Sequence, residues 1–178
     1  MNSSMSNIFL IGMMGSWKST VGRPLADELD MEFIDTDDEL EEITNMKVSD
    51  IFSEYGEQRF REMESAFFIE KAKQTNQVFS TGGGIVLNSN NRKVLQDNGI
   101  AFLLNASPNT LATRIRNTKK RPLLSGTSNL KLKLEDIWNQ RDKHYKEVAK
   151  YTINTDCINP KQVLNEIVEI LENSDCKQ

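Results

Sequence analysis

Near the start of the chain, Gly12-Met13-Met14-Gly15-Ser16-Trp17-Lys18-Ser19-Thr20 stands between an apolar run, Ile8–Ile11, and a segment where Val21, Leu25 and Leu29 recur at helical spacing. The run reads as a short buried strand and the spacing as one face of a helix over Lys18–Leu29. Strand, glycine-bearing turn, Lys-Ser and helix, in that order, are the setting of a phosphate-binding loop. The cause is local. Backbone N–H groups of the turn and the unpaired N–H groups of the first helical turn point at one spot, where the helix dipole also favours an anion. Lys18 adds a mobile positive charge for the outer phosphates, and Ser19 a hydroxyl oxygen suited to Mg²⁺. A plain glycine turn with a solvated lysine is the competing reading, and the flanking strand and helix favour phosphate.

One position departs from the pattern G-x-x-x-x-G-K-[ST]: Trp17 stands where the second glycine belongs. Its N–H can still be donated, but its Cβ and indole must find room where backbone approaches phosphate. If the backbone there needs a positive φ, a bulky residue is strongly disfavoured. Pro24 predicts a kink in the following helix, or a later helix start, because it removes one N–H and crowds the carbonyl four residues back.

Further apolar runs recur at Glu32–Ile34, Val78–Ser80, Ile100–Leu104 and Tyr151–Ile153, with helix-period segments between them. This alternation predicts a parallel sheet covered by helices on both faces. With 178 residues and no repeat, linker or low-complexity stretch, one domain over 1–178 is expected. A net charge of −4, mildly acidic over the chain as a whole, gives no reason to expect a nucleic-acid partner. No apolar run is long enough to span a bilayer, so no membrane partner is expected either. Met1–Ser6 is too short and polar to act as a signal or transit peptide. Cys157 and Cys176 form no disulfide framework, so a reduced, cytoplasmic setting is expected.

The strand ends carry the remaining candidates. Asp35-Thr36-Asp37-Asp38 follows the second strand, where ligands bind in open α/β sheets. Asp35 suits Mg²⁺ through water, and Asp37 suits a substrate hydroxyl or its proton. The same acids could simply cap the helix Asp38–Thr44. A short helix over Val48–Tyr55, closed at Gly56, precedes a longer one from Glu57 to about Thr75, with Phe60, Met63 and Phe67 facing the core. Glu57, Arg61 and Glu64 share a neighbouring stripe. It is either an exposed ion-pair ladder or an Arg61 fork for an anion, with the acids fixing its rotamer. Gly82-Gly83-Gly84 ends the third strand, and bare backbone at such a place suits close approach of a ligand. Beyond the fourth strand, Leu111–Arg116 reads as helical and leads into Lys119-Lys120-Arg121-Pro122, followed by small polar residues. That is the composition of a lid closing on phosphates, and equally of a solvated loop. A helix over Leu132 to about Val148 carries Arg141, with Trp138 in the core and His144 structural or exposed. Asn159-Pro160 opens an amphipathic closing helix, with Ser174–Gln178 frayed.

Taken in order, Gly12–Thr20, Asp35–Asp37, Gly56–Glu64 (G-E-x-x-F-R-x-x-E), Gly82–Gly84, Arg121–Leu124 (R-P-L-L) and Arg141–Tyr145 (R-x-x-x-Y) resemble the shikimate kinase family of P-loop kinases, over nearly the whole chain. The resemblance implies a three-layer α/β/α fold with a five-stranded parallel sheet, a lid near 117–130 and acceptor-binding helices near 35–64. It implies MgATP-dependent phosphorylation of the 3-hydroxyl of shikimate by a monomer. Carried over by position, Gly12, Gly15, Ser16, Trp17, Lys18, Ser19 and Thr20 form the ATP loop, and Ser19 and Asp35 hold Mg²⁺. Asp37 orients the shikimate hydroxyls, while Arg61, Gly82, Gly83, Gly84 and Arg141 take its carboxylate end. Arg121 closes over the transferring phosphoryl group, and Arg114 lies against adenine. Lys143 stands where the family usually has proline. Two alternatives compete: a non-catalytic relative with a loop impaired by Trp17, and a kinase for another small hydroxy acid such as gluconate.

Overall fold

A computed structural model describes residues 6–116, 121–124 and 126–175. Its five strands, β1 (Asn7–Ile11), β2 (Glu32–Asp35), β3 (Gln77–Ser80), β4 (Gly99–Asn105) and β5 (Tyr151–Asn154), form one parallel sheet in the order β2-β3-β1-β4-β5. Side-chain alternation along β1 explains the layers. Phe9 and Ile11 face a cluster with Phe68, Phe79, Leu103 and Ile137, while Ile8 and Leu10 face one with Val21, Leu25, Phe102 and Ile167. The first cluster is covered by α3 (Val48–Lys71), α4 (Ser89–Asp97) and α6 (Leu130–Val148), the second by α1 (Lys18–Leu29) and α7 (Pro160–Asp175). Phe9 packs against Phe79 and Phe68 at 5.1 and 5.6 Å between ring centroids. Truncating Phe9 to alanine is expected to cost about 3–5 kcal/mol.

Local chemistry sets the helix ends. Ser107 caps α5 (Pro108–Arg114) through the Thr110 N–H, with proline at the first position. At α7, Asn159 Oδ1 accepts from the Gln162 N–H (3.1 Å) while Gln162 Oε1 accepts from the Asn159 N–H (2.9 Å), a reciprocal cap. Gly56 (φ 80°, ψ 168°) breaks α3 where the sequence placed a helix end. Pro24 sits inside α1, which begins at Lys18, so the later start does not occur. The expected helix near 111–116 instead begins at Pro108 and ends at Arg114, and the long helix expected to reach Thr75 ends at Lys71. α4 was not anticipated from the sequence. Its signal was Asn88, whose Oδ1 accepts from the Asn90 N–H (2.8 Å) as an N-cap.

With β1 central, its loop lies between two groups of strand ends. β2 and β3 deliver Asp35, Ser80 and Gly82–Gly84 on one side. β4 and β5 deliver α5 and Thr155 on the other. This is the crevice where the strand order reverses. Of the expected lid, 117–120 and 125 lie outside the described residues, as do 176–178 of the frayed end.

Candidate active site

The loop after β1 folds as a cradle, and its odd residue does what the sequence argued against. Trp17 adopts φ 73°, ψ 19°, the left-handed conformation that a glycine would take without strain. For an L-residue this costs about 1–2 kcal/mol. The indole turns back against the cluster beneath α1 and α7. The Arg114 guanidinium lies over its ring, 3.3 Å from the centroid. Arg114 donates in turn to Thr155 Oγ1 (2.9 Å) and to the Thr155 carbonyl (2.5 Å). Arg114, expected against adenine, therefore meets the Trp17 indole on one face.

Lys18 is buried, and its Nζ donates to the Gly12 and Met13 carbonyls at 2.8 and 2.9 Å. Burial lowers its pKa to about 8, against the opposing pull of Asp37. Gly12, at φ 138°, has no room for a Cβ, which would meet the Leu104 carbonyl oxygen at 2.5 Å. Gly15 has φ 82°, and Ser16 is fully buried with its Oγ unpartnered among the described residues. Thr20 follows in the exposed first turn of α1.

Ser19 donates to Asp35 Oδ2 at 2.6 Å, with Ser80 Oγ 3.0 Å from Ser19 Oγ. Asp35 also caps α2 (Thr36–Thr44) by accepting from the Asp37 N–H at 3.1 Å. Capping and metal-site readings of Asp35 are therefore compatible. These hard oxygens suit Mg²⁺, which binds through one or two protein oxygens plus phosphates rather than an all-protein cage. Among the described residues no group of three or more His, Cys, Asp or Glu is placed to hold a metal ion by itself.

Beside the loop opens a cavity of about 650 Å³, lined by Asp37, Arg61, Glu64, Gly82–Gly84, Arg114, Arg121 and Arg141, among others. Arg61 donates to Glu64 Oε2 (2.6 Å) and Glu57 Oε1 (3.4 Å). Glu64 is only 1% exposed, so the stripe is no solvated ladder. Arg141, also buried, donates to the Gly83 carbonyl at 2.9 Å, and the buried Tyr145 hydroxyl donates to the same oxygen. The glycines have a cause the sequence did not show. A Cβ on Gly82 would strike Glu64 Oε1, and one on Gly84 would strike the Arg61 guanidinium. Bare backbone is needed first for the protein's own charged side chains.

Asp37 stands at the cavity wall with its carboxyl open to the cavity but ringed by protein. Burial, then the neighbouring Glu64 and Asp35, push its pKa up to about 7, while Lys18 and Arg61 pull it down. Burial also raises Glu64, against the pull of Arg61 and Arg141. Arg61 Nε, Arg141 Nε and Glu64 Oε1 are buried without hydrogen-bond partners among the described residues, so the site retains capacity for a polar ligand.

The structure thus brings together Lys18, Asp37, Arg61, Gly82–Gly84, Arg121 and Arg141 around one cavity and its adjoining loop. Sequence reasoning missed Ser80 and gave Tyr145 no role of its own, while the expected hold of Glu64 on the Arg61 rotamer is present as their 2.6 Å contact. The signal for Ser80 was its position at a strand end, and that for Tyr145 its place one helical turn from Arg141.

The shikimate kinase family model matches residues 14–172. A shikimate kinase of Haemophilus influenzae (strain PittEE) is 42% identical over 167 residues, 94% of this chain and 93% of that protein. Among solved structures, a shikimate kinase from Acinetobacter baumannii in complex with shikimate superposes with a TM-score of 0.91 at 36% identity, covering 96% of this chain and 94% of that one. The shikimate kinase of Bacteroides thetaiotaomicron gives 0.84 at 33% identity, over 95% and 99%. With the phosphate loop, the acid-bearing strand end and the paired arginines in place, this chain belongs to the shikimate kinase family.

Proposed function

We propose that this chain transfers the γ-phosphoryl group of ATP to the 3-hydroxyl of shikimate, a step in making aromatic amino acids. The observation that carries it is the single cavity in which Asp37 faces Arg61 and Arg141 beside the Lys18 loop. A small polyhydroxylated carboxylate matches two arginine forks at one end and a carboxylate acceptor for its hydroxyls at the other. Lys18 releases its loop carbonyls to reach the outer phosphates, and Arg121, on the cavity rim, neutralises the equatorial oxygens in transit. Asp37 aligns the 3-hydroxyl and accepts its hydrogen bond, taking the proton as the O–P bond forms. Ser19 and Asp35 would hold Mg²⁺, with Ser80 behind Ser19, and the ion would supply neutralisation of phosphate charge. Gly12, Gly15, Ser16, Trp17 and Thr20 supply loop amides and the oriented first turn of α1.

The whole chain, 1–178, acts as one domain in this scheme. α2 and the first part of α3, near 35–64, hold the acceptor, and Arg121, in the described part of the expected lid, lines the same cavity. Ile43, Tyr55, Leu87 and Leu132, the exposed large apolar side chains among the described residues, belong to four separate elements, which supports a monomer. A cytoplasmic setting accords with an unpaired, exposed Cys157 and with the lack of any described helix long and apolar enough to cross a membrane.

Lys18, Ser19, Asp35 and Arg121 are all present at the site, which speaks against a relative that only binds. The test is coupled ADP release with MgATP, with and without shikimate, and with gluconate as the competing acceptor. Shikimate-dependent release is expected. Turnover with gluconate alone would transfer the reading to another acid, and no turnover with either would end the enzyme reading.

A further inference from the structure

Trp17 holds a conformation unfavourable to any side chain but glycine, and such strain persists only where the surroundings over-determine it. The Arg114 guanidinium covers one face of the indole at 3.3 Å from the ring centroid, while the rest of the ring packs into the cluster beneath α1 and α7. The edge of the same guanidinium is fixed by two donations to Thr155. One face and one edge of Arg114 are therefore held, and the residue lines the cavity, to which Trp17 itself does not contribute.

A nucleotide with its phosphates in the loop must lead its base away on one side or the other. On the β2–β3 side stand Asp37, Glu64 and Arg61, a charged acceptor pocket. The base therefore leaves on the β4–β5 side, where the held guanidinium is the planar surface it meets. We infer that Trp17 is a positioning residue for the nucleobase: its indole is the floor of a three-layer stack, indole–guanidinium–base, that keeps Arg114 flat for stacking. This deepens the ATP reading above and rests on it. The side chain that strains the phosphate loop would then strengthen base binding, with little preference between purines, because every base offers a π face.

The experiment measures equilibrium binding to the full-length protein by titration calorimetry, without shikimate, for MgATP, MgGTP and magnesium tripolyphosphate, which has no base. Trp17→Leu keeps the Cβ and the loop strain but removes the platform. It is expected to weaken MgATP and MgGTP about tenfold, 1.4 kcal/mol, and to leave tripolyphosphate within about twofold. Trp17→Phe should restore most of the loss. Arg114→Leu, which leaves the loop untouched, should show the same base-dependent loss, and the double variant no more than either single one. Equal weakening of all three ligands by Trp17→Leu would show a loop effect only. Unchanged or tighter ATP binding would show an idle or obstructive indole, and fully additive losses would uncouple the two residues. Any of these overturns the inference. Failure of turnover with intact, base-dependent binding would instead indict the phosphotransfer reading.

Discussion

The two halves of the site handle charge in opposite ways. On the acceptor side, Asp37, Glu64, Arg61 and Arg141 crowd together, and two carboxylates are held nearer neutrality than they would be in water. On the nucleotide side, Lys18 is wrapped by neutral carbonyls and the tension lies in backbone geometry, at Trp17. Acceptor recognition thus depends on charges that support one another, and removal of one leaves another buried and uncompensated. Phosphate recognition in the loop depends on main-chain shape, which at position 17 tolerates a changed side chain as long as φ and ψ are kept.

The largest effect expected from this contrast is at Asp37. Asp37→Asn should lower kcat by about 10²–10³-fold while leaving KM for ATP nearly unchanged, since it removes the group that takes the hydroxyl's proton and not the loop. Next comes Arg61→Ala, which strips Glu64 of its closest cation. KM for shikimate should rise about 10²-fold with KM for ATP within about threefold, and equal losses would break the distinction between the halves. Gly82→Ala pushes a methyl into Glu64 Oε1 and should raise KM for shikimate about tenfold, equivalent to about 1.4 kcal/mol.

A pH profile sharpens the same contrast with smaller changes. Since Asp37 must be ionised and Lys18 charged, kcat/KM should fall below about 7 on the acceptor limb and above about 8 on the nucleotide limb. Stability runs the other way on the acid side. A carboxyl whose folded pKa is raised contributes stability that is fully present below its unfolded value and is lost as pH rises through about 7. Thermal melts at pH 8 should therefore show Asp37→Asn slightly more stable than the parent, modestly so because the carboxyl is open to the cavity. The smallest effect is expected of Trp17→Gly on stability. Relief of the left-handed strain and loss of the indole stack oppose each other, leaving a net change within about 1 kcal/mol.

Much of this was legible in the residues because it is local. The loop, the cap at Asn159, the break at Gly56 and the strand order of hydrophobicity all follow from neighbours in sequence. What was not legible depends on partners far along the chain. Nothing near Trp17 announces Arg114, and nothing near Gly82 announces Glu64. The glycines were read as space for a ligand, whereas the space is first taken by side chains from α3. Ser80 gave no signal because a serine ending a buried strand is common, and only the proximity of Ser19 gives it meaning. α4 escaped because its short amphipathic pattern follows the triple glycine so closely.

The contact of Lys18 Nζ with the Gly12 and Met13 carbonyls has a consequence for how the cradle meets its ligand. The ammonium already serves as a keystone, holding the arch of the loop from within, so an arriving nucleotide exchanges one set of oxygens for another around a standing frame. Replacing this lysine would take out masonry as well as charge, and the resulting defect would belong to both.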